Sequence, residues 1–412
     1  MTRSASSSAL LLSLTLTLIA CGIEGVEGAP PSTLSTEIQA EQPRAVPVDT
    51  ARRTTSGTVA VRNLDAQISS LREQLSRSPS RQDLRGQLVD RLLMRTAYLG
   101  RFSDFDEADA LTTEGLALSP ESPAAHESRA AFLTGVHRFT EASAHLDRAE
   151  ALGALPSGIE RARIVIAIAT GVDPEGTERR AAALAEEGSF GARTTHATAL
   201  AAAGRFEEAD ALYVRALAEY RDTSPFPHVF VSFGRGVMWA EMADEPEVAV
   251  GLYGEAVRRL PDYVVANVHL AELEAEHARL SEARGRLMPL VERDDPEPAG
   301  LLAELTDDAS ERAALIERAR ARYEVLLASH RAAFLDHGAE FFAGPGADPD
   351  RALAMARENL ESRRNGRAYV VAIESALAAG QPAEACALAR ESEDQRRYHP
   401  VLDGLVEGLA CE

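Results

Sequence analysis

Residues 244–261 read DEPEVAVGLYGEAVRRLP, and this stretch decides the fold. A turn is followed by a proline, by an acidic residue and then by Ala249, which begins an apolar stripe at helical spacing. Residues 204–217 (GRFEEADALYVRAL) and 380–392 (GQPAEACALARES) show the same order of residue types. The chain therefore contains an internal repeat, and each copy predicts a helix that starts just after a turn.

The small residue at the start of each stripe sets the period of the repeat. These alanines are Ala108, Ala142, Ala209, Ala249, Ala283, Ala352 and Ala385. Their successive spacings are 34, 67, 40, 34, 69 and 33 residues. The intervals of 67 and 69 fit two units each, with degenerate copies near Gly176 and Glu317, and the interval of 40 fits one unit with an insert at residues 223–228.

The period and the residue types resemble the tetratricopeptide repeat, a helix–turn–helix unit of about 34 residues. In the clearest copy, Ala249 is followed by Tyr253, Ala256 and Pro261 at the spacings that the family shows. The resemblance covers residues 85–395 and implies an all-α fold, an α-solenoid of about eight or nine repeats. One helix pair cannot bury its apolar face alone, so the pairs are expected to stack on one another.

Helix-start signals fall where the pairs should begin. Ser122 and Asp348 each precede a proline, the order expected of an N-cap residue and a proline in the first helical turn. An apolar helical stripe stands ahead of the repeats, and its members are Leu64, Ile68, Leu71 and Leu75. We expect a capping helix in residues 61–84, with a short coiled-coil dimer as the alternative, and a C-terminal tail at 396–412.

The first 20 residues are predicted to be a targeting signal. Arg3 precedes an apolar run over residues 10–20, which has the length of a signal-peptide core and is too short to span a membrane comfortably. The run ends in LIAC at residues 18–21, which resembles a bacterial lipobox. The resemblance implies removal of residues 1–20 and lipidation of Cys21 by a diacylglyceryl group, with an acyl chain such as palmitate on its new amine. An ordinary secretory signal followed by a chance cysteine is the alternative.

Lipidation would make the protein a resident of the bacterial cell envelope, because two or more acyl chains hold a protein stably at a membrane. Gly22 after the cysteine favours the outer membrane, by the sorting rule of enteric bacteria. Residues 21–60 are rich in glycine, proline, serine and threonine, and they predict a flexible linker. About 40 such residues reach roughly 35 Å, which would hold the folded part clear of the lipid headgroups.

Charge and composition exclude several functions. The chain has 43 basic and 64 acidic residues, a net charge of −21, whereas a nucleic-acid-binding surface has to be basic. Every basic residue is arginine. The absence of lysine excludes a Walker A lysine and a Schiff base to a carbonyl cofactor, and we expect no cofactor.

The sequence contains no recognisable catalytic motif. There is no Gly-x-Ser-x-Gly, no dinucleotide-binding glycine motif and no Cys-x-x-Cys. His330, Asp336, His337 and Glu340 could share one helical face, so a metal-dependent enzyme built near residues 320–345 is the rival hypothesis. An ordinary helix surface is the plainer interpretation, and we predict a non-catalytic protein without a metal site.

Two cysteines remain after Cys21, namely Cys386 and Cys411. Thiols outside the cytoplasm tend to pair, and a disulfide between these two would fasten the tail to the last clear repeat. The alternative is a buried free thiol at Cys386 and a frayed end at Cys411.

In the tetratricopeptide family, the first helix of each pair lines a groove that holds a peptide or a helix. That register, placed on the two clearest consecutive copies, predicts five groove residues. They are Met238, Glu241, Met242, Glu272 and Glu276. Methionines among carboxylates make an adaptable acidic surface that suits a basic, partly apolar peptide, and a solvated face without a ligand is the alternative.

The sequence therefore predicts a lipid-anchored scaffold of the cell envelope that binds other proteins. A narrower hypothesis follows from a resemblance to the pilotin-like lipoproteins that help secretins or outer-membrane β-barrel proteins assemble, although those have fewer repeats. A solenoid that senses a small molecule or a glycan is the third alternative. The aromatic cluster Phe226, Phe230, Phe233 and Trp239 is expected to pack between helix pairs.

Overall fold

The computed structural model describes residues 46–48 and 51–411, and within them the regular structure is entirely helical. A first helix, α1 (Gly57–Arg77), precedes nine helix pairs in this part of the chain. The first four pairs are α2 (Gln82–Leu99) with α3 (Asp104–Leu118), α4 (Pro123–Gly135) with α5 (Phe139–Ala151), α6 (Pro156–Thr170) with α7 (Pro174–Ala185), and α8 (Phe190–Ala202) with α9 (Phe206–Glu219).

The other five pairs are α10 (Phe226–Val237) with α11 (Pro246–Arg259), α12 (Val264–Glu276) with α13 (Leu280–Leu287), α14 (Glu297–Glu304) with α15 (Ala309–His330), α16 (Leu335–Ala343) with α17 (Pro349–Leu360), and α18 (Gly366–Ala378) with α19 (Pro382–Glu391). A π-helical turn follows α10 at Met238–Met242, and 3₁₀ turns lie at Met288–Leu290 and Arg331–Phe334. Two short helices, α20 (Glu393–Arg396) and α21 (Pro400–Glu407), follow the last pair. The predicted all-α solenoid is confirmed.

The repeated alanines lie where the helices of a pair approach each other. All seven are fully buried, from Ala108 in the first pair to Ala385 in the ninth. In the fifth pair the approach is closest at Gly236, where the Tyr253 ring occupies the space that a Cβ would need. Small side chains at the contact let two helices pack closely, which is why the alanine period marks the repeat.

The two predicted helix starts are confirmed. The Ser122 hydroxyl accepts a hydrogen bond from the Ala125 amide, and the Asp348 carboxylate accepts one from the Arg351 amide. A proline occupies the first turn of each helix. Both features satisfy or remove amide groups that have no partner within the helix.

The array doubles back, so that its first pairs contact its last pairs. The Phe102 ring, just after α2, lies edge-on against Phe334, with 4.9 Å between the ring centroids. The Arg364 amide donates a hydrogen bond to Thr170 O (3.1 Å), which joins the third pair to the ninth. As a result, α10, α12, α14, α16 and α18 are buried on nearly every face.

Residues 46–48 and 51–56, which we call the strap, lie against the middle of the array. Arg235 Nη1 on α10 donates to Pro47 O (2.8 Å), and Arg259 Nη1 at the end of α11 donates to Arg52 O (3.1 Å). Arg235 and Arg259 are both buried. Two buried guanidinium groups thus bind the backbone of an extended segment.

The strap corrects two predicted boundaries. The linker predicted for residues 21–60 ends before the strap, because the array holds the strap's carbonyl groups, which a composition rich in glycine, proline and serine does not reveal. The capping helix predicted for residues 61–84 is α1, at Gly57–Arg77, and it packs on α2. The signal peptide at 1–20, Cys21 and the first part of the linker lie outside the described residues.

The C-terminal tail is folded. Within it, α21 packs on α18, and a disulfide joins Cys386 of α19 to Cys411, with the two Cα atoms 5.6 Å apart. Among residues 46–48 and 51–411, no helix has both the length and the apolar character needed to cross a bilayer.

Replacing both bonded cysteines, as Cys386→Ser with Cys411→Ser, is expected to lower the free energy of unfolding by about 3 kcal/mol. The disulfide closes a loop with a sequence separation of 25, and breaking it gives the unfolded chain more freedom. Urea unfolding at pH 7, with and without reductant, measures the change. Reductant should bring the wild type to the stability of the variant, and equal stability of the oxidised wild type and the variant would contradict the prediction.

Candidate protein-binding groove

The first three helix pairs form an open concave surface of about 440 Å³. We call it the N-terminal groove. It lies between α2, α4 and α6, and the residues that matter below are Gly86, Asp90, Glu127, Ser128, Gly158 and Arg161. This is the face formed by the first helix of each pair, as the resemblance implies, but it is built from other pairs than those we predicted.

Small residues keep the floor of the N-terminal groove open. Ala124 and Ser128 lie one turn apart on α4, and the equivalent positions on α6, 34 residues later, are Gly158 and Ala162. A Cβ added to Gly158 would have Glu127 Oε1 at 3.8 Å as its nearest neighbour, an ordinary contact. The repeat therefore leaves a low, continuous surface on which another chain can approach the helix backbones.

The groove is acidic. Its lining includes three carboxylates, from Asp83, Asp90 and Glu127, and one guanidinium, from Arg161. Asp83 is paired with Arg81, whose Nη2 lies 2.5 Å from Asp83 Oδ2. No described residue forms a hydrogen bond or an ion pair with the carboxylates of Asp90 and Glu127.

The concave shape affects how these two carboxylates ionise. Partial burial raises the pKa of Glu127. The protein around the groove also raises the pKa of Asp90, against the opposing effect of Arg91 and Arg161, although the Asp90 side chain is open to solvent. Both groups therefore have a charged form that is poorly compensated, and a cation from a partner would stabilise it.

Four of the five residues predicted to face an open groove are buried instead. Met238, Glu241, Met242 and Glu272 have less than a tenth of their surface exposed, and Glu276 alone is exposed. The physical reason is the doubling back of the array, which covers the inner face of the fifth and sixth pairs with other helices. The aromatic cluster beside them is also buried, which confirms that it packs between helix pairs.

The buried predicted residues form part of a charged interior. His269 Nδ1 lies 3.2 Å from Glu241 Oε1 and 3.1 Å from Glu272 Oε2. Burial raises the pKa of Glu241 and lowers the pKa of His269. The ring of Tyr253 stacks against His269 at 5.5 Å between centroids. These groups satisfy one another inside the array and present no open surface.

The four residues of the rival metal hypothesis contact separate partners. His330 Nε2 lies 3.0 Å from an Asp106 oxygen, and Asp336 pairs with Arg363 at 2.6 Å. His337 pairs with Glu297, and Glu340 pairs with Arg367. Burial lowers the pKa of His337, but Glu297 and Asp336 outweigh burial and raise it to about 9. Over residues 46–48 and 51–411, no group of three or more His, Cys, Asp or Glu side chains has the geometry to hold a metal ion.

Two half-buried carboxylates give the interior a pH dependence. Burial raises the pKa of Glu304 to about 7, with Glu272 adding to the effect. Burial likewise raises the pKa of Glu374 to about 7, against the opposing effect of Arg367. Both values exceed the ordinary pKa of 4.5, so these groups favour the folded state below pH 4.5 and lose that contribution as the pH rises through about 7.

The variants Glu304→Gln and Glu374→Gln are therefore expected to be more stable than the wild type at pH 8.5, by roughly 2 kcal/mol each. Glutamine keeps the shape and removes the cost of burying a charge. Urea unfolding at pH 8.5 and at pH 4 measures the difference, which should vanish at pH 4. A matched variant, Glu186→Gln at an exposed position, should change neither value, and a stabilisation that is equal at both pH values would contradict the explanation.

Sequence reasoning missed the N-terminal groove. The signal that would have found it is the exact repetition of small residues 34 positions apart on α4 and α6, together with carboxylates at Asp90 and Glu127 that have no arginine one turn away on their own helix. We had chosen the copies with the clearest consensus, and those are the copies that pack in the interior.

The chain was compared with known proteins. No family model matches it, and no curated protein matches it significantly. It is similar to a chain of the APC/C hetero-tetramer Cut9–Hcn1, at 12% identity and a TM-score of 0.41, over 86% of this chain and 74% of that one. It is similar to human IFIT1, solved as a dimer with PPP-AAAA, at 14% identity and a TM-score of 0.45, over 76% and 72% of the two chains.

A third similar structure is a tetratricopeptide repeat protein from Parabacteroides merdae, at 14% identity and a TM-score of 0.35. That match covers 61% of this chain and 97% of the other. Because the identities and TM-scores are low, no argument about function is drawn from these similarities.

Proposed function

We propose that the protein is a lipid-anchored tetratricopeptide-type scaffold of the bacterial cell envelope, non-catalytic, which binds a protein partner in its N-terminal groove. The observation that carries this proposal is an open concave surface whose two carboxylates, Asp90 and Glu127, have no ion pair among the described residues. Elsewhere on the array, carboxylates of neighbouring helices pair with arginines, such as Glu160 with Arg180 at 2.6 Å. The groove thus differs from the rest of the surface in its uncompensated charge.

The partner that suits this groove is a basic, partly apolar segment. A lysine or arginine side chain would form charge-assisted hydrogen bonds with Asp90 and Glu127. Apolar side chains would lie over the floor formed by Ala124, Gly158 and Ala162. We propose protein as the ligand, rather than nucleic acid, because phosphate groups would be repelled by the acidic lining.

The proposed anchor is the lipid on Cys21, with the outer membrane as the proposed location. The strap shortens the free tether to the 25 residues between Cys21 and Val46. A flexible segment of that length has an r.m.s. reach of roughly 28 Å. The chain then enters the array at α10 and α11 rather than at the end of the first pair, so the N-terminal groove is left uncovered by the tether's attachment.

The groove is tested by reversing its charge, as Asp90→Arg with Glu127→Arg. Envelope proteins that copurify with the full chain from detergent-solubilised cells should fall at least tenfold in this variant. The matched control is Glu186→Arg with Glu187→Arg, which makes the same change of charge at exposed residues outside the groove and should leave recovery unchanged. Equal recovery with both variants would overturn the groove as the binding surface.

The anchor is tested separately with Cys21→Ser. Wild-type protein should sediment with the membrane fraction, and the variant should be soluble or unprocessed. Mass spectrometry of the mature N-terminus should find a diacylglyceryl group on Cys21 of the wild type. A mature chain without lipid would overturn the anchor while leaving the groove hypothesis intact.

A further inference from the structure

Two histidines of the second helix pair meet at a site apart from the N-terminal groove. His126 on α4 and His145 on α5 face each other with their Nδ1 atoms 2.9 Å apart. His126 is 9% exposed and His145 is half-buried. The two imidazoles therefore share one crevice between the helices, and solvent reaches it from the side of His145.

The carbonyl group of Pro120 fixes the tautomer of His126. His126 Nε2 lies 3.0 Å from Pro120 O. A carbonyl oxygen only accepts hydrogen bonds, so Nε2 carries the hydrogen and Nδ1 presents its lone pair towards His145. Histidines that bind metal ions are typically oriented in this way, by a hydrogen bond from the other ring nitrogen to a carbonyl or carboxylate.

The second imidazole is neutral at neutral pH. Burial lowers the pKa of His145, the positive groups of His126 and Arg129 lower it further, and Glu141 opposes them. Arg129 comes from α4 and is paired with Asp109, and Glu141 comes from α5 and is paired with Arg138. The crevice thus holds two uncharged imidazoles, the form in which histidine binds metal ions.

We propose that His126 and His145 bind one divalent transition-metal ion of the class that prefers imidazole, namely Cu²⁺, Ni²⁺ or Zn²⁺. Metal–nitrogen bonds of about 2.0–2.1 Å place two nitrogens roughly 3.3 Å apart in a tetrahedral site, so the present separation needs to widen by a few tenths of an ångström. Binding moves the hydrogen of His145 from Nδ1 to Nε2 through solvent, and no net proton leaves the neutral pair. The protein supplies two ligands, and water completes the coordination.

The test is titration of the full chain, purified in detergent, with CuCl₂, NiCl₂ or ZnCl₂ at pH 7.5 by isothermal titration calorimetry. We expect one site per chain, with Cu²⁺ bound more tightly than the other two ions. His145→Gln and His126→Ala should each lower the affinity at least tenfold. His277→Ala is the control, because His277 is an exposed histidine paired with Glu247 at 2.9 Å, and it should leave the affinity unchanged.

A spectroscopic readout keeps the proposal testable should His126→Ala unfold the second pair. The electron paramagnetic resonance spectrum of the Cu²⁺-loaded wild type should show coupling to two imidazole nitrogens, and that of His145→Gln to one. Affinity should also fall at least tenfold at pH 5, where protons compete for both rings. Absence of binding by the wild type, or an affinity and spectrum that His145→Gln leaves unchanged, would overturn the site.

Discussion

Replacing Arg363 with alanine is expected to lower the free energy of unfolding by about 4 to 5 kcal/mol. Arg363 Nη1 lies 2.6 Å from Asp336 Oδ2, and both side chains are at most 2% exposed. Arg363 Nε also lies 3.4 Å from Ala169 O, at the contact between the third and ninth pairs. The substitution leaves the buried carboxylate of Asp336 without its guanidinium and removes a contact that holds the doubled-back array together.

Urea unfolding at pH 7 measures this loss. The double variant Arg363→Met with Asp336→Leu provides the matched control, because replacing both members of a buried ion pair by apolar side chains costs much less than removing one. The double variant should therefore be more stable than Arg363→Ala by at least 2 kcal/mol. A loss below about 1 kcal/mol in the single variant would mean that the pair does not hold the contact.

Replacing Asp210 with alanine is expected to lower the free energy of unfolding by about 4 kcal/mol and to release the strap. Asp210 accepts hydrogen bonds from Arg235 Nε (2.7 Å) and from Trp239 Nε1 (3.0 Å) in the interior. Arg235 in turn holds Pro47 O of the strap. Without Asp210, the guanidinium of Arg235 is a buried charge without its carboxylate, and it loses the orientation that binds the strap.

The release is measured by limited proteolysis with trypsin, since the strap contains Arg52 and Arg53. Cleavage there should be at least tenfold faster in Asp210→Ala than in the wild type, and urea unfolding reports the stability. Asp147→Ala is the control, because Asp147 is 70% exposed and pairs with Arg163 at the surface, so its loss should cost less than about 1 kcal/mol. Unchanged cleavage in Asp210→Ala would show that the strap is held independently of this network.

The repeat could be read from the sequence because it is a local property. An alanine at the closest approach of two helices is required by packing, so its period survives where other positions vary. The cap at Ser122 and the cap at Asp348 are local in the same sense, and both were predicted correctly. The degenerate copies were harder, since the seventh pair combines the short helix α14 with α15, which runs for 22 residues from Ala309 to His330.

The location of the groove could not be read from the period, because doubling back depends on contacts between residues far apart in the chain. The composition of the inner helices did carry a signal that we did not use. Residues 226–237 and 264–276 have apolar side chains on every face, which is typical of a helix that is buried all round. Glu241 and Glu272 lie at the ends of these segments, so their carboxylates should have been expected inside the array.

The central claim is that a protein partner binds in the N-terminal groove, and site-specific photocrosslinking in living cells tests it most directly. Amine-reactive crosslinkers cannot attack the side chains of a chain without lysine, so a photoreactive amino acid is placed at Gln87 or Ala124 in the groove, and at Glu186 outside it. We predict that both groove positions form an adduct with the same envelope protein, that Glu186 does not, and that Asp90→Arg with Glu127→Arg abolishes the adduct. The absence of any adduct at the groove positions, or an adduct that survives the charge reversal, would contradict the account.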